Sequence, residues 1–301
     1  MAELTHAQRV NSNRLAEEYF DSLMIRYRYI GSVEPTIEYT LYGQTFRTPI
    51  LCGPLAYMAL NRIHESGRMG LARGLDDAGS GMISAWIGDD ELKALADAGF
   101  RVARSIKPFA DHDRVFRLIE SAEQLGAFAV CIDIDHIFDE RGNYCAWAEG
   151  QLGRHTAADF KAYAAATKLP LILKGVLSPA DAEACVVAGV GGIILSNHNN
   201  RFPSAIPPLA ALPEIKKIVD GRFPVLVDGC IVSGVEAFKA LALGADGVLA
   251  SRVFMSAFSD GPSGVTKKLD EMTAELKCCM ANTGTASIGA FSPDVLSRRS
   301  W

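Results

Sequence analysis

Eight short apolar runs recur along the chain, each followed by a polar loop and a helical pattern. They are Pro49–Gly53, Met82–Ala85, Val102–Ile106, Ala129–Asp133, Leu171–Lys174, Gly192–Ser196, Pro224–Asp228 and Gly247–Ser251. Runs of four or five residues are too short for helices and suit strands covered on both faces. Between them lie amphipathic segments such as Asp113–Leu125, Ala157–Thr167 and Pro179–Ala188, and another helix, Val265–Ala281, follows the eighth run. The stretch SPADA starts one helix, with Ser178 as N-cap and Pro179 at the first helical position. Eight strands alternating with helices over about 250 residues is the count for a closed parallel barrel. A doubly wound sheet, the main rival, usually needs fewer strands. The expected fold is therefore α/β, a (β/α)8 TIM barrel in a single domain. The barrel is expected over residues 48–283, between an N-terminal helical or extended segment (1–47) and a C-terminal tail (284–301).

The 301 residues, 49% hydrophobic and 22% charged, suffice for a large core. A net charge of -5, without a long run of like charge, offers no footprint for nucleic acid and no polybasic membrane patch. No apolar stretch approaches membrane-spanning length, and the opening MAELTHAQRVNSNR lacks a signal peptide's apolar centre. Seven cysteines without a CxxC spacing read as reduced thiols of a cytoplasmic protein, with no metal expected.

Catalytic groups of such barrels gather where the strands end. The polar residues at these ends are Asp133 after strand 4, Lys174 after strand 5, and His198 and Arg201 after strand 6. Asp228 closes strand 7, and Ser251 and Arg252 close strand 8. A packed structural end needs no such ionisable set. The stretches DGC (228–230) and ASR (250–252) supply small residues, backbone N–H groups and one arginine where these barrels often hold a phosphate.

Two long stretches, LILKGVLSPADAEACVVAGVGGIILSNHNNR and FPVLVDGCIVSGVEAFKALALGADGVLASRVF, resemble the FMN-dependent α-hydroxy-acid oxidases and dehydrogenases. The resemblance is dense from Leu169 to Phe254 and traceable from Asn13 to Asp133. It implies an FMN enzyme oxidising a small 2-hydroxy acid to a 2-oxo acid. It also implies a homo-oligomer, most simply a homotetramer, and leaves the electron acceptor unknown. In these terms His198 is the catalytic base, Asp133 its carboxylate partner, and Arg201 the clamp for the substrate carboxylate. Lys174 stands beside the flavin N1/O2 edge, and Arg252 binds the phosphate. Ser196, Asp228, Gly229, Ser251, Pro54, Ala56, Ala85 and Ser105 fall at cofactor-contacting positions, and Lys107 at a substrate-binding one. The chemistry agrees with these roles. A histidine steadied by an aspartate accepts a proton near neutral pH. A guanidinium fork suits a carboxylate, and a lysine offsets the charge of reduced flavin.

The sequence departs from the family pattern at several positions. Asn199 replaces a glycine, Asn200 a small residue, and Val232 a phosphate-binding arginine. Ala85 replaces a hydroxyl residue, Ser105 a glutamine and Lys107 a tyrosine. The loop after strand 4 is shortened, and the N-terminal segment bearing another active-site tyrosine is missing. The shortened loop and lost tyrosines favour, as an alternative, a flavin enzyme redirected to a larger or peptide-derived substrate. Val232 and Ala85 favour a barrel that has lost flavin and binds a phosphorylated metabolite. Lys174 argues against that last reading. In the stretch DIDH, Asp133 and Asp135 share a face while His136 points away, which disfavours a metal. Trp86 and Trp147 are read as loop packing.

Overall fold

A computed structural model describes residues 11–301, and the side chains of residues 56–59 are not described. The eight apolar runs form eight parallel strands: β1 (Ile50–Ala56), β2 (Met82–Ala85), β3 (Val102–Ile106), β4 (Val130–Asp133), β5 (Leu171–Lys174), β6 (Gly192–Leu195), β7 (Val225–Asp228) and β8 (Gly247–Ala250). They pair in chain order, and β8 returns to β1, so the sheet closes into a barrel. Each strand is followed by a helix on the outside: α1 (Gly67–Asp77), α2 (Asp89–Asp97), α3 (His112–Gln124), α4 (Ala157–Ala165), α5 (Pro179–Ala188), α6 (Pro208–Val219), α7 (Gly234–Ala242) and α8 (Gly261–Thr283). This is the expected (β/α)8 fold. The α5 start behaves as its sequence predicts, the Ser178 hydroxyl accepting from the Asp181 N–H with Pro179 in the first turn. Helix α8 runs longer than its periodicity indicates at both ends. Among the described residues, no helix is long and apolar enough to cross a membrane.

Alternation along each strand sends every second residue into the barrel. Leu51, Ile83, Ala103, Cys131, Ile172, Ile194, Leu226 and Leu249 pack there as one interior cluster. The leucines and isoleucines among them are at most 2% exposed, each contributing about 1.5–3 kcal/mol. The other strand faces pack against the helices and form a larger cluster around the barrel.

The lower end is closed by an antiparallel hairpin, Tyr39–Leu41 against Gln44–Phe46. Tyr42 and Gly43 turn it with φ of 51° and 75°, the paired positive values that a tight right-twisted hairpin requires. Tyr39, Leu41 and Phe46 are buried in the interior cluster. A Cβ on Gly247 would lie 2.7 Å from the Tyr39 hydroxyl, and one on Gly192 would collide with that of Tyr42. These glycines admit the plug.

Candidate active site

The same alternation that fills the interior with Cys131, Ile172, Leu226 and Leu249 sends the residue two further on to the upper layer. That residue is Asp133 on β4, Lys174 on β5, Asp228 on β7 and Ser251 after β8. Register then sets neighbours, because Lys174 lies directly across from Asp133. The upper layer is thus polar where the lower is apolar, and it floors a cavity of about 360 Å3. Pro54, Ala85, Lys107, Asp133, Lys174, His198, Asp228, Gly229, Ser251 and Arg252, all anticipated, line it.

Lys174 is 3% exposed and stands among three carboxylates. Its Nζ lies 3.1 Å from Asp135 Oδ2, 3.4 Å from Asp133 Oδ1 and 3.9 Å from Asp228 Oδ2. Burial disfavours the ammonium, but these three anions hold its pKa above the ordinary lysine value. Burial alone would raise the Asp133 carboxyl, yet Lys174, hydrogen bonds and Lys107 hold it well below the usual range. Asp135 behaves differently: burial, and the negative charge of Asp133, push it up to about 6 against the pull of Lys174.

His198 Nδ1 is 2.5 Å from Asp135 Oδ1 and 3.4 Å from Asp133 Oδ1. The carboxylate nearest the base is therefore Asp135, which the sequence reading did not assign. Asp133 carries the fuller negative charge and Asp135 the closer contact. Burial opposes protonation of the ring, but hydrogen bonds to the two carboxylates raise His198 to about 9. A change from 6.5 to about 9 corresponds to about 3 kcal/mol, before solvent screening of a partly exposed ring. Because the folded value lies above the unfolded one, this stability is complete below pH 6.5 and is lost as pH rises through 9. Urea unfolding at pH 6.5 and 9.5 should therefore show a larger loss for the wild type than for His198→Gln.

The turn carrying the base is strained. His198, Asn199 and Asn200 have φ of 46°, 55° and 66°, three successive non-glycine residues in the left-handed region. Asparagine tolerates that region best among residues bearing a Cβ. Both amides are held from outside the barrel by the N-terminal helix Ser12–Asp21. Asn13 Nδ2 donates to Asn199 Oδ1 at 2.8 Å, and the Ser12 N–H donates to Asn200 Oδ1 at 2.7 Å.

Several anticipated residues make other contacts in this structure. The Ser196 hydroxyl does not line the cavity; it donates to Asp228 Oδ2 at 2.9 Å and accepts from the His198 N–H at 3.1 Å. Ser105 is buried beside a neighbouring cavity of about 280 Å3, its hydroxyl without a hydrogen-bond partner among the described residues. Arg201 does not line the cavity either, and its Nη2 donates to the Phe138 carbonyl at 2.5 Å. Lys107 is no solvated loop lysine. It is 6% exposed, paired with Asp133 and 5.3 Å from the centre of the Trp147 ring. Val232, in place of a phosphate-binding arginine, is 48% exposed and lies off the cavity wall. The Ala56 side chain falls outside the described set.

His136 does not face away. Strand β4 ends at Asp133, so alternation stops there and His136 turns into the cavity wall, edge-on to His198 at 5.0 Å. Burial and the nearby cations lower it to about 4, so it stays neutral. Trp86 and Trp147 also line the cavity, their rings 4.7 Å apart. Asp133, Asp135 and His198 offer three metal-type ligand atoms within 4.8 Å of one another. The Lys174 ammonium, however, already balances that cluster.

The lining fits FMN. Among the described residues, the Arg252 guanidinium has no carboxylate partner and reaches only Cys230 Sγ, at 3.6 Å. Gly229, with φ of 117°, presents bare backbone beside it, and Ser251 adds a hydroxyl. This is a donor set for a phosphate monoester. Asn197 Oδ1, 4% exposed as a residue and on the cavity wall, lacks a donor among the described residues. A Cβ on Gly53 would strike Ser251 Oγ, so the floor there is open only because glycine is present.

Comparison with known proteins extends this reading. The family model described as FMN-dependent dehydrogenase matches residues 5–145 and 140–298. The chain is 31% identical to 4-hydroxymandelate oxidase of Amycolatopsis orientalis, over 85% of this chain and 81% of that one. It is 28% identical to L-lactate oxidase of Lysinibacillus sphaericus, over 93% and 83%. It superposes on a mandelate oxidase variant carrying a monooxide FMN adduct with a TM-score of 0.86 and 30% identity, over 100% of this chain and 94% of the other. Fold, phosphate cradle and family match agree, and the chain belongs to the FMN-dependent dehydrogenases.

Proposed function

We propose that the protein is an FMN-dependent oxidoreductase that oxidises a 2-hydroxy acid with a flat, apolar side chain. The observation that carries this reading is one cavity holding a carboxylate-backed histidine, a buried lysine and two tryptophans. FMN, when bound, supplies the acceptor for the two electrons leaving the substrate carbon. The chain's own groups do the rest.

With Nδ1 turned to Asp135, the neutral form of the His198 ring, which gains as pH rises towards 9, presents Nε2 to take the substrate proton. Asp133 and Asp135 stabilise the imidazolium so formed, Asp133 mainly by charge and Asp135 by contact. Lys174 balances these anions and the charge that accumulates on the cofactor side. We assign the substrate carboxylate to Arg201, which exchanges its bond to the Phe138 carbonyl for a bidentate pair. Lys107, buried and paired with Asp133, lines the cavity itself. Trp86, Trp147 and the neutral His136 ring provide a slot for an aromatic or branched side chain.

Anaerobic stopped-flow bleaching of the flavin band tests the reading. Aryl and branched 2-hydroxy acids should reduce the flavin faster, at equal concentration, than glycolate does. Bleaching by glycolate alone would remove the slot assignment. Bleaching by no 2-hydroxy acid would leave the redirected-substrate alternative, for which the Lys107–Asp133 pair is the most conspicuous changed feature.

A further inference from the structure

A second group of ligating side chains lies outside the cavity, between the first turns of α3 and α4. His155, Asp159 and Tyr163 are spaced by four residues and so share one face of α4 and its entry. That face meets His112, the first residue of α3. One ligand atom each from His112, His155 and Asp159 falls within 4.8 Å of the others. The Tyr163 hydroxyl sits among them, 2.8 Å from His112 Nδ1 and 3.1 Å from His155 Nδ1, and Asp159 Oδ1 is 3.7 Å from His112 Nδ1. The two imidazole rings stack at 4.5 Å.

Proton placement leaves ligand electrons pointing inward. His155 Nε2 faces the Phe109 carbonyl at 3.1 Å, and a carbonyl only accepts, so the proton is on Nε2. Its Nδ1 is then an acceptor turned to the Tyr163 hydroxyl and the cluster, with the ring fixed from behind as in protein metal sites. Asp159 accepts from the Thr156 N–H and hydroxyl through Oδ2, at 2.7 Å each, which leaves Oδ1 towards His112. Ligand bonds of about 2.0–2.1 Å in a tetrahedron require ligand atoms roughly 3.3–3.4 Å apart. The distances of 2.8, 3.1 and 3.7 Å lie on either side of that value.

We propose that His112, His155, Asp159 and Tyr163 form a structural site for a divalent transition ion of the zinc class. Two imidazoles with oxygen ligands suit zinc better than calcium or magnesium, which favour all-oxygen shells. With four protein ligands the site is closed and holds no reactive position. Its effect is mechanical. It ties α3 to α4 and, through His155 and the Phe109 carbonyl, steadies the segment two residues beyond Lys107. It rests on none of the catalytic assignments.

Calorimetric titration of zinc chloride into chelator-treated, FMN-loaded protein tests it, with melting temperature followed in parallel. One ion should bind per chain and raise the melting temperature. His112→Ala and His155→Gln should each weaken binding by more than about 10-fold. His112 is 38% exposed, and glutamine keeps a donor for Phe109, so both variants should fold. Cys278→Ser and His198→Ala should bind the ion as the wild type does. Absence of binding in the wild type, or wild-type affinity in both histidine variants, would overturn the proposal. So would loss of binding in Cys278→Ser or His198→Ala, which would place the ion at the exposed thiol or in the catalytic cavity.

Discussion

His198→Ala should lower the rate of flavin bleaching by substrate about 10²–10⁴-fold while FMN stays bound, because the proton loses its acceptor. The two carboxylates behind the ring should separate in the same experiment. Asp133 carries the fuller charge, although it stands 3.4 Å from Nδ1. Asp133→Asn should therefore shift the pH profile of reduction downward from a midpoint near 9. Asp135, at 2.5 Å and with a carboxyl near 6, mainly fixes the ring. Asp135→Asn should lower the maximal rate with a smaller displacement of the midpoint. Equal displacements in both variants would show that contact and charge are not divided in this way. A His198→Ala protein that bleached at the parental rate would remove the base assignment altogether.

Lys174→Met should be the most destabilising single change in the site. The ammonium is the common partner of Asp133, Asp135 and Asp228, and methionine leaves those carboxylates without it. Breaking a buried pair by removing one partner costs about 3–5 kcal/mol. The deficit should shrink at pH 5 relative to pH 8, because protonated carboxyls no longer need a cation. Urea midpoints at the two pH values measure this. A deficit independent of pH would mean that lost packing, rather than charge, dominates.

The barrel and most of its upper layer were legible because both follow from local rules. Alternation places Asp133, Lys174, Asp228 and Ser251 wherever Cys131, Ile172, Leu226 and Leu249 point inward. Past the end of β4 at Asp133 the rule still places Asp135 on the side of Asp133, but it fails at His136, three residues on. No periodicity could show that Asp135 touches His198 or that His136 turns into the cavity. Long-range contacts were equally hidden. Asn199 and Asn200 stand in sequence only as replacements of small residues, yet their amides hold Ser12 and Asn13, 188 and 186 residues away. Trp86 and Trp147 belong to separate loops, and only the closed barrel brings their rings together. Arg201 was correctly placed after strand 6, but its tether, the Phe138 carbonyl, belongs to a loop without regular pattern.

The tyrosine plug beneath the interior cluster has a kinetic corollary. With Tyr39, Leu41 and Phe46 packed at the lower end, the polar groups of the cavity lie at the upper end of the barrel. Substrate, oxidised product and whatever reoxidises the flavin must all reach that end. The cavity measures about 360 Å3, and FMN would take part of it. If the product must depart before the oxidant arrives, turnover alternates between two half-reactions. Double-reciprocal plots at several oxidant concentrations should be parallel, and product should compete with the oxidant for the reduced enzyme.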